Sequence, residues 1–351
     1  MKEAYQALAK HLDSYPQGFP ATKSGAELEL LAYLFTPEEA LLALNLSLQY
    51  RPLTEIAIRS GVSRPICQNL VLSMTEKGLV NLRGGPDGTE ARLLPFIVGI
   101  YENQVFAMDE YFAQLFEAYY QEALHEIVSV QPQFHRVIPV NVTIPSDVEI
   151  LPEEDVDLIL SSKRAWAVMD CVCRKQQALL GHPCEHPIRV CLAMSDTPGA
   201  FDYMPDMDAM DLQEARKVLD FAAASGLVHT VSNRLRDISY ICNCCTCGCT
   251  LLRTISAARM ANVVARSSYY AIVDQSQCID CAECESVCQF GAIQAEKVVS
   301  VDREVCTGCG VCVRVCPEGA FRLERRPLKE IKWIPYSEDE WLIQRRQARN
   351  L

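Results

Sequence analysis

The sequence predicts an α+β chain, and three observations carry that reading. Residues 1–100 place helix-start signals ahead of a single strand–turn–strand tip. Seventeen of the 18 cysteines lie between Cys171 and Cys316 in short spacings. Near the C-terminus a unit of 28 residues occurs twice. The expected parts are an N-terminal domain over 1–100 and a helix with a Pro-rich connector over 101–150. A mostly helical, cysteine-rich metal- or cluster-binding domain follows over 151–267, then a small two-part domain over 268–326 and a tail over 327–351.

The apolar share of 49% is that of an ordinary globular chain, large enough for two or three cores. The net charge of -12 weighs against a surface that binds nucleic acid throughout, and suits partners with basic patches. The opening MKEAYQALAKHLDSYPQG has no apolar h-region. No run approaches the roughly 18 apolar residues of a membrane span. Bunched cysteines in such a chain read as reduced metal ligands rather than a disulfide framework, and the expected setting is a reducing cytoplasm.

In the N-terminal part, Thr36-Pro37-Glu38-Glu39 is a helix start: a capping Thr, Pro at the first helical position and acids in the first turn. A second helix begins at Pro52-Leu53-Thr54, Ser60-Gly61-Val62-Ser63 forms a turn, and Ser63 caps a third helix with apolar positions Ile66, Leu70, Leu72 and Met74. Cys67 on that helix reads as core. Leu79–Leu82 and Ala91–Leu94 flank Arg83-Gly84-Gly85-Pro86-Asp87-Gly88, which reads as a hairpin. This stretch resembles the winged-helix domains of small bacterial regulators of the MarR and ArsR type. The resemblance implies either a DNA reader or a module for homodimerisation or docking. Residues 1–100 hold four Lys and five Arg against two Asp and eight Glu, a net of -1. Duplex binding rests largely on phosphate neutralisation, so this balance favours dimerisation or docking over DNA, although Arg59, Arg64, Lys77, Arg83 and Arg92 could form a local patch.

Met108 to Val128 reads as one amphipathic helix with Phe112, Leu115, Phe116, Tyr119, Ala123 and Ile127 on one side. Pro132, Pro139, Pro145 and Pro152 punctuate the connector, Asp211 opens a helix running to about Gly226, and residues 251–268 read as helical. The tail, with Trp333 and Trp341, is expected to pack across the outside of a domain.

In the repeated unit, Val273-Asp274 and Cys278 match Val301-Asp302 and Cys306, and Gly291-Ala292-Ile293 matches Gly319-Ala320-Phe321. Each copy reads as strand, cysteine loop, helical turn and strand, and the two must pair around a shared core. Cys278, Cys281, Cys284 and Cys288 follow C-x-x-C-x-x-C-x-x-x-C, and Cys306, Cys309, Cys312 and Cys316 repeat it with Pro317 behind. Structural zinc takes four ligands in two separated pairs, which this spacing does not provide. The segment resembles bacterial-type ferredoxins with two [4Fe–4S] clusters. In those, the fourth cysteine of each run ligates the other cluster. The resemblance implies one cluster on Cys278, Cys281, Cys284 and Cys316, and a second on Cys306, Cys309, Cys312 and Cys288. Gln289 departs from the family pattern, which has proline there. Asp280, Glu283 and Glu285 surround the first loop where the second has Gly308, Val311 and Val313. Carboxylates oppose adding an electron, so the first cluster is expected at the lower potential.

The middle cysteines form two strings, Cys171, Cys173, Cys184 and Cys191, then Cys242, Cys244, Cys245, Cys247 and Cys249. C-x-C puts two thiols on one side of an extended segment. The economical reading is one further cluster on the first four and another on four of the latter five, with a site mixing the strings also open. Zinc fits either group, and His182 or His186 could replace a cysteine. Arg174 could face a cluster's charge or form a surface ion pair. The order from C-x-C-R through ICNCC to the repeat resembles cysteine-rich ferredoxin-fused proteins of anaerobic bacteria. That resemblance implies an electron-transfer protein or oxidoreductase subunit passing single low-potential electrons to a redox partner protein. A redox-sensing transcription regulator and an oxidoreductase with an open-site cluster are the alternatives. No flavin or nicotinamide fingerprint, phosphate loop or catalytic dyad is found in the sequence.

Overall fold

The computed structural model describes residues 2–86, 88–140, 152–258 and 263–351. They form a mixed helix and sheet structure in two compact units, one of residues 1–131, 176–182 and 342–351, the other of 132–175 and 183–341. Of the expected connector, Pro145 lies outside the described residues, as does Asp87 of the hairpin tip.

In the smaller unit, α1 (Lys2–Asp13) and α2 (Ala26–Leu34) precede α3 (Pro37–Ala43). The helix start at Thr36 is a full capping box: the Glu39 N–H donates to Thr36 Oγ1, and the Thr36 N–H to Glu39 Oε2. Then come β1 (Arg51–Pro52), α4 (Leu53–Ser60), α5 (Arg64–Glu76), β2 (Val80–Gly85) and β3 (Gly88–Leu93). The strands make an antiparallel sheet in the order β1-β3-β2. Gly61 ends α4 in the left-handed region at φ 71°. The buried face of α5 is Cys67, Val71 and Met74, while Ile66 and Leu72 are exposed. After α6 (Tyr101–Asn103), the long helix α7 (Glu110–Ser129) buries all six residues expected on its apolar side. The C-terminal segment closes this unit through the buried Arg345. Its guanidinium donates to the carbonyls of Pro16, Gln17, Ile127 and Val130.

The larger unit begins with β4 (His135–Val137), α8 (Val156–Ser161), β5 (Ala165–Asp170) and α9 (Val172–Leu179), whose second half belongs to the smaller unit. It continues with β6 (Arg189–Ser195), β7 (Asp208–Met210), α10 (Leu212–Ala224), β8 (Val228–Ser232) and β9 (Tyr240–Cys244). These strands form one antiparallel sheet in the order β4-β8-β9-β6-β5-β7. A core of Leu160, Val168, Leu192, Leu219, Val231 and Ile241 packs between the sheet and helices α8 and α10. The expectation of a mostly helical middle domain is therefore corrected to a sheet-based one. Its strands are rich in Ala, Met and Leu, as in AWAVMD and RVCLAMS, which favour helices in isolation. Cross-strand packing overrides that preference. Within 251–268, the helix among described residues is only α11 (Arg253–Ala258).

The repeat supplies β10 (Tyr269–Val273), α12 (Glu283–Ser286), β11 (Ile293–Gln294), β12 (Ser300–Val301), α13 (Val311–Val315) and β13 (Phe321–Arg325). Here β10 pairs with β13 and β11 with β12, both antiparallel, so each half lends a strand to the other. The last helix, α14 (Glu338–Ala348), starts in this unit, where the Trp341 indole donates to the Gln133 carbonyl. Among the described residues, no helix is long and apolar enough to cross a membrane.

Candidate metal and cluster centres

Side chains alternate along a strand, so in β9 Cys242 and Cys244 share one face while Asn243 takes the other, and Cys245 follows directly after the strand's end. Adjacent strand β6 pairs Leu192 with Ile241, bringing Cys191 beside Cys242. A register shift at Met169/Asp170 ends β5, and the Cys171 N–H donates to the Ile188 carbonyl. The outcome is a closed ring. Cys171 lies within hydrogen-bond reach of Cys173 and Cys191, Cys242 of Cys191 and Cys244, and Cys249 of Cys244 and Cys173. Thr250 donates to Cys173 Sγ at 3.2 Å, and Thr230 Oγ1 lies 3.5 Å from Cys244 Sγ. The Cys191 thiol is depressed well below its usual value by hydrogen bonds from Cys171 and Cys242, against the opposing effect of burial.

On the opposite face, Cys245 and Cys247 meet the 183–188 loop. Cys184 Sγ lies 2.8 Å from Cys247 Sγ, 3.6 Å from Cys245 Sγ and 3.0 Å from His186 Nδ1. All four ligand atoms lie within 4.8 Å of one another. Zinc–ligand bonds of about 2.0–2.3 Å place tetrahedral donors roughly 3.4–3.8 Å apart, so this set fits a single ion. Burial raises the Cys245 thiol, but His186, Cys247 and the Arg174 guanidinium outweigh it and bring it down to about 6.

Arg174 stands between the two groups. It is buried, its Nη1 donates to the Asn243 carbonyl at 3.0 Å and to Cys245 Sγ at 3.7 Å, and it is in electrostatic contact with Cys171 and Cys191. Its Nε and Nη2 have no hydrogen-bond partner among the described residues. Gly248 makes room for it: a Cβ there would sit 2.7 Å from Arg174 Cγ. Of the two readings of Arg174, the surface ion pair is thereby excluded.

The nine middle cysteines thus follow the reading that mixes the strings rather than the one that gives each string its own centre. Cys184 leaves Cys171, Cys173 and Cys191 and joins Cys245 and Cys247, while Cys242, Cys244 and Cys249 join the first string. The sheet is the cause: Cys242 and Cys244 share one face of β9, and Cys245, one residue past the strand, joins Cys247 against Cys184 and His186. His186 enters the smaller group, and His182 is exposed outside it.

In the repeat, Cys278, Cys281, Cys284 and Cys316 line one cavity, with Val299 and Phe321 behind them. Cys309 and Cys312 are in electrostatic contact with Cys306 and Cys288. Burial pushes Cys309 up to about 12, so without a cation its thiol stays protonated. Backbone N–H groups of Ala292 and Ala320 donate to Cys288 and Cys316 Sγ at 3.3 Å each, one repeat apart. The backbone repeats as well. Gly308 and Gly310 are left-handed at φ 72° and 80°, and their counterparts Asp280 and Ala282 adopt φ 54° and 60° without glycine's freedom. Gly308 also approaches the chain itself, since a Cβ there would meet the Tyr269 carbonyl oxygen at 2.1 Å.

Gln289, the departure from the proline pattern, has a partner. Its Oε1 accepts from the Thr246 N–H and hydroxyl at 2.9 Å each, and its Nε2 donates to the Gly226 carbonyl. It ties the first cysteine loop to the turn carrying Cys245 and Cys247, a role sequence reasoning did not assign.

Residues 271–323 match the family described as 4Fe-4S dicluster domain. No curated protein and no solved structure matches the chain. The family match supports a ferredoxin-like iron–sulfur domain and 4Fe–4S binding there.

Proposed function

We propose that this chain is a multi-cluster iron–sulfur electron-transfer protein that passes single low-potential electrons to a partner oxidoreductase. The observation that carries this is the dicluster segment, in which three cysteines of one loop and Cys316 from the other repeat line a single cavity. A bound [4Fe–4S] cluster supplies reversible one-electron chemistry. The protein supplies the rest. Cys278, Cys281, Cys284 and Cys316 hold one cluster and Cys306, Cys309, Cys312 and Cys288 the other. The amides of Ala292 and Ala320 stabilise sulfur charge, and Val299 and Phe321 exclude water.

Burial favours the opposite order of potentials from the one the loop carboxylates alone imply. Cys281 and the carboxylates of Asp280, Glu283 and Glu285 are exposed, so salt and water screen them, and the first set has one buried thiol, Cys284, against Cys306 and Cys312 in the second. Adding negative charge to a buried site costs more than a screened neighbour does. In redox-titrated EPR of the full chain, the signal lost in Cys306→Ser should titrate below the signal lost in Cys278→Ser. The opposite order would show that the carboxylates win. Absence of any reducible cluster signal removes the proposed function.

Cys184, His186, Cys245 and Cys247 are read as one closed zinc site, held against the dicluster segment by Gln289. In metal analysis, His186→Ala should lose about one zinc per chain with iron unchanged. Loss of iron instead would assign these residues to a cluster.

For the N-terminal unit, α3, α4, α5 and the β2–β3 hairpin with β1 alongside favour a winged-helix module. Arg64, Gln68 and Asn69 are exposed on α5, which keeps the transcription-regulator reading in play. Charge still favours dimerisation or docking. Anisotropy titrations at physiological salt should give duplex DNA dissociation constants weaker than about 1 μM. Tighter, sequence-dependent binding would put the regulator reading first.

A further inference from the structure

The larger unit spends six of its nine middle cysteines on one closed ring, in the order Cys171, Cys173, Cys249, Cys244, Cys242 and Cys191. We propose that this ring holds one polynuclear iron–sulfur cluster ligated by all six thiolates, a centre distinct from both cubanes of the dicluster segment and from the Cys184–His186 site. It rests on the reading of the chain as an iron–sulfur protein.

Three observations on the residues lead there. The first is ligand number. A tetrahedral ion or a cubane takes four thiolates, and either would leave two ring members without a metal. Yet no member stands apart: each has two ring neighbours within hydrogen-bond reach, and the strands and turn that carry them are held by pairing. The second is charge. Six thiolates carry six negative charges in a site where Cys171, Cys244 and Cys249 are buried, and Arg174 offsets one of them. The rest call for a metal centre in the ring, although inorganic sulfides cancel most of the iron charge, so charge alone does not choose its kind. The third is the orphaned donors. Arg174 is 2% exposed, lies in electrostatic contact with Cys171 and Cys191, and has two buried nitrogens, Nε and Nη2, without a partner among the described residues. Buried donors require acceptors, and inorganic sulfides of a cluster are acceptors of the right charge. A zinc–thiolate cluster would bring no such sulfide.

The test uses the full chain, prepared anaerobically with iron-57 and sulfide. Iron, zinc and acid-labile sulfide are counted, and Mössbauer spectra are taken of the wild type, of each ring cysteine changed singly to Ser, and of Cys184→Ser. The wild type should show a component distinct from the dicluster cubanes, with iron beyond the eight or so those require. Each of the six ring variants should alter or abolish that component and leave the cubane component intact. Cys184→Ser should leave both. Two silent ring variants would mean a four-thiolate cubane with bystanders, and zinc in the ring or no component beyond the cubanes in the wild type would also overturn the proposal. The wild-type spectrum decides even where a variant does not fold. Loss of the cubane component alone would instead count against the electron-transfer reading.

Discussion

Cys316→Ser should strip the iron from the site of Cys278, Cys281 and Cys284, and Cys288→Ser should strip it from the site of Cys306, Cys309 and Cys312. Each substitution lies in the opposite repeat from the site it empties. The expectation follows from where the fourth thiols go: Cys316 lines the cavity of the first loop, and Cys288 is in electrostatic contact with Cys309 and Cys312. About four of the roughly eight irons in this segment should be lost in each case. Two spectroscopically different clusters should survive, one per variant. The readout is the EPR signal that remains beside those of Cys278→Ser and Cys306→Ser. If Cys316→Ser instead matches Cys306→Ser, each loop holds its own cluster and the interlocked arrangement is wrong.

Gly308→Ala should be among the most damaging single substitutions in the dicluster segment. Two penalties add. Its φ of 72° costs a side chain about 1 kcal/mol or more. A Cβ would also lie 2.1 Å from the Tyr269 carbonyl oxygen and 2.2 Å from Ser267 Oγ, at the start of β10. Backbone must move to relieve that, for a combined loss of roughly 3 kcal/mol or more. The counterpart in the first loop gives the control. Ala282 already adopts φ 60°, so Ala282→Gly should leave stability unchanged or raise it by about 0.5–1 kcal/mol. Thermal unfolding of the full chain followed by cluster absorbance measures both. A Gly308→Ala protein as stable as wild type would mean the loop is free to shift away from β10.

Much of this was legible in the sequence because some signals are local. The capping pattern at Thr36 and the apolar face of α7 depend on residues three or four apart, and both appear in the structure as read. The 28-residue repeat fixes which strands and loops correspond, while the left-handed backbone of Gly308 and Gly310 recurs at Asp280 and Ala282, where no glycine signals it. What was not legible depends on partners far along the chain. The strand Arg189–Ser195 lacks a strong β signature and becomes a strand because β5 and β9 pair with it. On α5 the thiol of Cys67 is core, as the sequence indicates, but of the apolar positions Ile66 and Leu72 face out, so apolar character alone does not mark the buried face. Grouping the middle cysteines by string follows proximity in sequence, whereas the sheet brings the strings together, as the reading that mixes them allows. The C-x-C spacing of Cys242 and Cys244 carries part of the signal, since alternate strand residues share a face, but nothing local marks the end of β9 before Cys245. Gln289 offered no signal beyond its departure from proline, as Thr246 and Gly226 are both more than forty residues away.

The central claim is best tested by iron and acid-labile sulfide analysis of the anaerobically prepared full chain, with low-temperature EPR after reduction with dithionite. The account predicts about eight or more irons per chain with a matching amount of sulfide, and reduced-cluster signals that include two interacting [4Fe–4S] centres. Zinc without sulfide at the eight cysteines from Cys278 to Cys316 would contradict it.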